Sequence, residues 1–263
     1  MNMIFLFREY LGVAAKRLLV YREYLFSELI GNLVIPVSLN LLLWNALLRE
    51  NNVNYTFLGI TKYIIISNLI FMFTQIHMEN LLCADIKTYR LGQKLLHPVR
   101  YLTETCLRHF AESVAKFGFV YLPLIALMLI LTRAPVGVNI PLAILTVLLG
   151  YGLSMLFSFI IGVLSFWLTE IWGVAAFNNL LTGLLAGAVI PLDVFSPGIQ
   201  RALFMLPFPY MAYVPTKLIC DGDLDMTLLK STLPMAFAWL AIFIASAALL
   251  WKAGLRKYTS AGA

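Results

Sequence analysis

With 263 residues, 61% of them apolar and only 12% charged, and a mean hydropathy of +0.87, the chain lacks the polar surface of a water-soluble fold, where about a quarter of residues are charged. The net charge of +6 does not mark a nucleic-acid binder, because Lys and Arg cluster at the ends of apolar stretches and form no dense basic stripe. Cys83, Cys106 and Cys220 are too dispersed for a disulfide framework or a cysteine metal site.

Residues 1–23 mix apolar side chains with Arg8, Lys16, Arg17 and Arg22, a pattern that predicts a helix lying flat at the membrane interface. Extension of the first span is the alternative. The apolar stretch that follows is too long for a signal-peptide core. It predicts a first span over Leu25–Leu48, broken only by Pro36, with a polar loop Arg49–Asn54 after it. A second span is expected over Phe57–Leu82.

The polar stretch 83–103 runs into Glu104, Arg108, Glu112 and Lys116, spaced by four. Pairs at that spacing support an exposed helix, so the third span is expected to begin as a helix in water and enter the membrane over Phe117–Leu131. From Pro141 to Pro191 the only charge is Glu170. The run is twice what one crossing needs and must fold back, most simply at Trp167–Gly173, between spans four and five. Segment 191–222, broken by Pro197, Pro207, Pro209 and Pro215, predicts short helices dipping partway into the outer face. A sixth span over Leu228–Trp251 ends at Lys252, Arg256 and Lys257.

The expected fold is therefore an all-α membrane protein of six spans in a single domain, 1–263. With the N-terminus inside, Arg8, Lys16, Arg17, Arg22, Lys87, Arg90, Lys94, Arg100, Arg108, Lys116, Lys252, Arg256 and Lys257 face the cytoplasm. Arg49, Lys62, Arg133, Arg201, Lys217 and Lys230 lie outside. That asymmetry predicts both termini in the cytoplasm.

Signs of catalysis are few. The sequence holds no G-x-x-x-x-G-K-[ST] phosphate loop, His77 and Glu79 point in different directions on a helix, His97 and His109 lack metal-ligand spacing, and the serines lack a nucleophile-elbow context. Polarity inside the spans is more organised. Asn32, Pro36 and Asn40 step by four along the first span, Asn68 and Gln75 fall seven apart on the second, and Asn179 lies on the fifth. These amides turn inward, either to bond neighbouring helices or to line a substrate path. Gly150, Ser154, Ser158 and Gly162 form a small-residue stripe on the fourth span, and Asn179, Gly183 and Gly187 another on the fifth, suited to close packing within the chain or against a second copy. Glu28, Glu79 and Glu170 map near the inner boundary and not at mid-membrane, where a proton relay would need charge. The energy source is expected elsewhere.

Leu181–Leu192 ending in Ile190-Pro191-Leu192, then Leu206-Pro207-Phe208-Pro209, Val214-Pro215 and Asp221-Gly222, resembles the outer "G-x-x-I-P-L … L-P-F … P … G" pattern of type 2 ATP-binding-cassette (ABC) permeases. The likeness is strongest to the branch carrying Phe166-Trp167 before the fifth span and Leu95-Leu96-His97-Pro98 in the first cytoplasmic loop. It implies a multi-pass permease subunit of the cell membrane that binds no cofactor itself, pairs with a second permease (the same chain or a related one), and works with two ATPase subunits carrying ATP and Mg. The loop 84–100 would be the coupling helix, with Lys87, Arg90 and Lys94 facing the ATPase and Arg8, Lys16 and Arg17 bracing the contact. Attraction of these cations to anionic lipid is the competing explanation.

Spans one, two and five would line the path, with Asn32, Asn40, Asn68, Gln75 and Asn179 on it. Without an aromatic ladder along any span, the cargo is expected to be small or amphipathic: a drug, lipid or peptide. An ion-coupled secondary transporter, which would show inverted repeats, and a non-transporting assembly protein are the alternatives.

Overall fold

The computed structural model describes residues 3–49, 55–97, 101–124, 139–221 and 226–258, and among them every regular element is helical. We number the α-helices α1 (Met3–Val20), α2 (Arg22–Leu29), α3 (Ile35–Arg49), α4 (Phe57–Thr74), α5 (Met78–Lys87), α6 (Arg90–Leu95), α7 (Tyr101–Lys116), α8 (Ile140–Val163), α9 (Trp172–Leu185), α10 (Pro197–Phe204), α11 (Tyr213–Asp221) and α12 (Met226–Lys257). Four stretches are long and apolar enough to cross a bilayer: Leu25–Arg49, Phe57–Lys87, Ile140–Phe166 and Thr232–Lys257. They correspond to expected spans one, two, four and six. The outer part of the expected third span, and the turn Thr132–Pro135, lie outside the described residues.

Local signals set several boundaries. Thr56 opens α4 by accepting from the Gly59 N–H. Asn139 does the same for Leu142 in α8, where Pro141 occupies the first turn, a position that needs no donor. The first span is interrupted as the sequence predicts, but by a π-helical turn over Ile30–Val34, just before Pro36. Proline lacks an N–H and its ring crowds the carbonyl four residues back, and the wider turn relieves that crowding. The inserted residue also breaks the four-residue phase: Asn40 is buried while Asn32 is exposed. The two amides do not share a face.

Two other expectations change. The second span is not one helix, because Gln75 takes extended geometry and the chain restarts as α5 at Met78. The helix at the expected fifth span starts at Trp172, within the fold-back expected over Trp167–Gly173, and has only 14 residues, about 21 Å at 1.5 Å per residue. It stops because Gly187 adopts a φ of 75°, a left-handed conformation open to glycine. The non-helical backbone beyond it is bonded by side chains. Tyr63 and Ser67 donate to the Gly187 and Ala188 carbonyls at 2.7 and 3.1 Å, and Trp44 donates to Val189 at 3.5 Å. Buried non-helical backbone persists only with such partners.

Two hydrophobic cores stack along the bundle. Trp44, Tyr63, Leu153, Leu192, Met211 and Tyr213 centre one. The other centres on Met78, Leu82, Leu91, Tyr101, Phe159 and Phe166, at the end bearing α6. Helix α1 is no isolated surface element: Ala14 and Leu18 bury against Ala115 of α7, Phe7 meets Phe110 at 5.8 Å, and Arg17 pairs with Glu112 at 3.5 Å. Covered in this way, α7 is not the free-standing helix its charge spacing suggests. Glu104 turns to His97 and Tyr10, at 3.4 Å each, in place of Arg108.

Candidate functional site

The elbow formed by α5 and α6 is tied by hydrogen bonds at both of its ends. Its first residues emerge from the break after Gln75 with backbone N–H groups that need acceptors. His77 supplies no side-chain cap. Ser158 of α8 does so from across the bundle, accepting from Met78 N at 2.8 Å and Glu79 N at 3.2 Å, while its hydroxyl donates to the Glu79 carboxylate. Glu79 is fully buried, and its other oxygen lies 3.3 Å from His77 Nδ1. Gly162 makes room for this seating, since a Cβ there would stand 3.0 Å from Glu79 Cα and 3.2 Å from the Leu82 side chain.

At the far end of α5, Thr88 donates to the Ala84 carbonyl at 2.7 Å, and Tyr89 turns the chain with a φ of 57°. A bulky residue in the left-handed region is strained and persists only where its surroundings fix it. Here Leu91 is fully buried, and Tyr258 accepts from the Gly92 N–H at 3.2 Å. Asp85 completes the clamp by accepting from Lys94 Nζ at 2.6 Å and from Tyr101 at 2.8 Å. The Tyr101 ring stacks on Trp251 at 5.5 Å and 9°, and Trp251 in turn meets Phe159 and Phe166. Helix α6 is thus fastened through α5 and α7 to the ends of α8 and α12.

The sequence-nominated cations divide. Lys94 is spent on Asp85, and Lys87 bridges Glu170 in the α8–α9 turn at 2.7 Å. Arg90 is exposed and makes no ion pair among the described residues. Arg8 and Lys16 are exposed on α1, and Arg17 is held by Glu112. What the charge pattern missed is Leu96, 86% exposed at the end of α6. Its signal was an apolar pair, Leu95-Leu96, inside a polar stretch. Residues 98–100 of the expected coupling loop lie outside the described residues.

The nominated path residues differ in their settings, Asn32 being exposed and Asn40 buried on the first span. Asn68 is buried but satisfies its amide on its own helix, donating to the Ile64 carbonyl at 2.8 Å. Gln75 lies half-buried at the end of α4, and Asn179 is half-buried on α9. The neighbouring Asn178 was overlooked. It shares the buried face of Ile171 and Ala175, and its Oδ1 has no partner among the described residues. Among the small residues, Gly150 packs against backbone of the same chain, a Cβ there falling 2.7 Å from the Met211 carbonyl oxygen. Ser154 is half-buried. Gly183 has open space around it, and Gly187 lies in the turn beyond α9 rather than on its face.

A helical membrane domain with no phosphate loop of its own and a clamped elbow at one end has the build of a transporter's membrane subunit. The sequence matches the family model "ABC-2 family transporter protein" over residues 34–262, and the chain belongs to that family. It is therefore a membrane-spanning permease subunit of an ABC transporter and associates with ABC ATPase partners. A comparison with curated proteins finds no match.

Proposed function

We propose that this permease is an exporter of a small or amphipathic molecule, a drug, lipid or peptide, and that α6 is the lever through which ATPase subunits move it. On this reading six crossings place both termini and α6 in the cytoplasm, and a second permease completes the pathway. Two ATPases supply the ATP and Mg chemistry. The carrying observation is the pairing of an exposed tip with a rigid mount: Leu96 and Arg90 are free to meet a partner, while Asp85, Tyr101 and Trp251 anchor the element behind them.

Closure of the ATPases on ATP would push α6, and the clamp would carry the push into α5, α7, α8 and α12 as a rigid-body shift. The break at Gln75–His77 lies where such a lever would hinge. The Asn178 oxygen, without a partner among the described residues, would with Asn40 offer polar contacts to a cargo between facing copies. A cargo that binds the two access states unequally shifts the equilibrium between them.

Copurification with an ATPase encoded beside this chain tests the lever. Leu96→Asp and Arg90→Glu are expected to weaken association, because both side chains stand free at the tip. Lys87→Glu is expected to matter less, since Lys87 is bridged to Glu170. Association unchanged in both tip variants would reject the assignment.

A further inference from the structure

Between α4, α7 and α8, with one residue contributed by α11, lies a cavity of about 350 Å3. Its floor is greasy and closed, with Ile66, Leu69, Ile70 and Phe73 of α4 all nearly buried. Phe110 and Phe117 line its opposite wall. Its mouth lies where Phe117, Ile144 and Leu148 are 40%, 54% and 44% exposed. Among the lining residues one carries charge: Lys62, at the end remote from α6.

Size and lining are those of an apolar ligand pocket, with Lys62 and Tyr121 the residues on its wall that carry polar groups. Such a space does not hold water, which needs two or more polar partners. From Lys62 to Phe73 the wall of α4 rises by eleven residue steps, about 16 Å at 1.5 Å per residue. That is the depth of one leaflet of a hydrocarbon core about 30 Å thick. Lys62 donates to the Cys220 carbonyl at 2.7 Å, and an ammonium has three donors. The nearby Asp221 carboxylate is paired with Lys217 at 3.2 Å.

We propose that this cavity binds one acyl chain of an anionic phospholipid from the leaflet remote from α6, with its phosphate held at Lys62. The charge at one end and the apolar trough one leaflet long, with its exposed rim of Phe117, Ile144 and Leu148, fit that occupant. The site lies within a single chain, apart from the elbow, and stands whether or not the lever reading holds.

The test uses the purified full-length chain in phosphatidylcholine nanodiscs doped with phosphatidylglycerol carrying a mid-chain diazirine. Photolabel is expected on α4 and α8 peptides around Ile70 and Val147. Ala143→Trp and Val114→Trp, which fill the cavity from two different helices, are expected to abolish that labelling while the rest of the lipid belt labels as before. Two fillers guard against one failing to fold. Lys62→Gln should keep the chain folded and remove the preference for the phosphatidylglycerol probe over its phosphatidylcholine counterpart. Labelling spread evenly round the belt, labelling indifferent to either filler, or equal labelling of the wild-type protein by both probes would overturn the proposal.

Discussion

Ser158 of α8 holds Glu79 of α5 twice, accepting from its backbone N–H at 3.2 Å and donating to its carboxylate. The sequence places them 79 residues apart. The contact converts a small residue in an apolar span into the cap of a different helix. Replacing Ser158 with Ala leaves the N–H groups of Met78 and Glu79 and a fully buried carboxylate short of a partner. Each orphaned group costs about 1–3 kcal/mol. Equilibrium unfolding in mixed micelles is expected to show a loss in that range or above, and Ser158→Thr, which keeps the hydroxyl, to recover part of it.

The glycines separate packing from open surface. At Gly150 a methyl group would fall 2.7 Å from one backbone carbonyl oxygen and 2.8 Å from another, neither of which can swing aside. Gly150→Ala is expected to destabilise by about 1–3 kcal/mol through overpacking. Gly183 meets nothing within 4 Å, so Gly183→Ala is expected to raise stability by up to ~1 kcal/mol through helix propensity. The contrast is read from paired thermal melts. A Gly183→Ala variant that folds alone but no longer forms the permease pair would assign that open surface to a second copy.

The hydrophobic pattern made much of this architecture legible. Spans one, two, four and six, the fold-back near Glu170 and the family resemblance in the Ile190-Pro191-Leu192 region all follow from apolar run lengths and prolines. What stayed hidden depends on partners distant in sequence. Nothing local to Lys94 tells that Asp85 and Tyr101 will hold it, and nothing local to Gln75 tells that Ser158 will accept the backbone freed after the break. The four-residue phase linking Asn32 to Asn40 assumed an unbroken α-helix, and the π turn before Pro36 removed it. Asn178 and Asn179 are equivalent on a hydropathy scale and differ only in the face each occupies.

His109 gives α7 a dependence on pH. Burial pulls its pKa below the ordinary 6.5, Arg108 and Lys116 lower it further, and Glu112 and Glu79 oppose. Because the unfolded chain binds this proton more readily than the folded one, the contribution is complete above about pH 6.5. It is lost as pH falls through the folded value. Unfolding midpoints measured across that range are expected to decline toward acid, and His109→Asn to flatten the decline. An unchanged slope in the variant would assign it to other groups.

At the opposite end of the bundle, Asp193 accepts from Tyr55 at 2.5 Å and pairs with Lys217 at 2.7 Å. This ties the entry of α4 to the segment between α9 and α10 and to α11. Asp193→Asn removes the charge that holds both partners. Hydrogen exchange over Leu192–Phe204 is expected to accelerate, while the α5–α6 elbow keeps its protection. Equal acceleration at both ends would mean that the tie supports the whole fold.

Site-directed cross-linking at the two ends of the molecule tests the lever assignment most directly. Leu96→Cys, at the exposed tip beyond α6, and Ile199→Cys, exposed on α10, are each treated with a short bifunctional maleimide in membranes containing the cognate ATPase. The account predicts an adduct between Leu96→Cys and the ATPase whose yield changes with ATP, and none from Ile199→Cys. An ATPase adduct at Ile199→Cys, or its absence at Leu96→Cys while the two proteins still copurify, would contradict it.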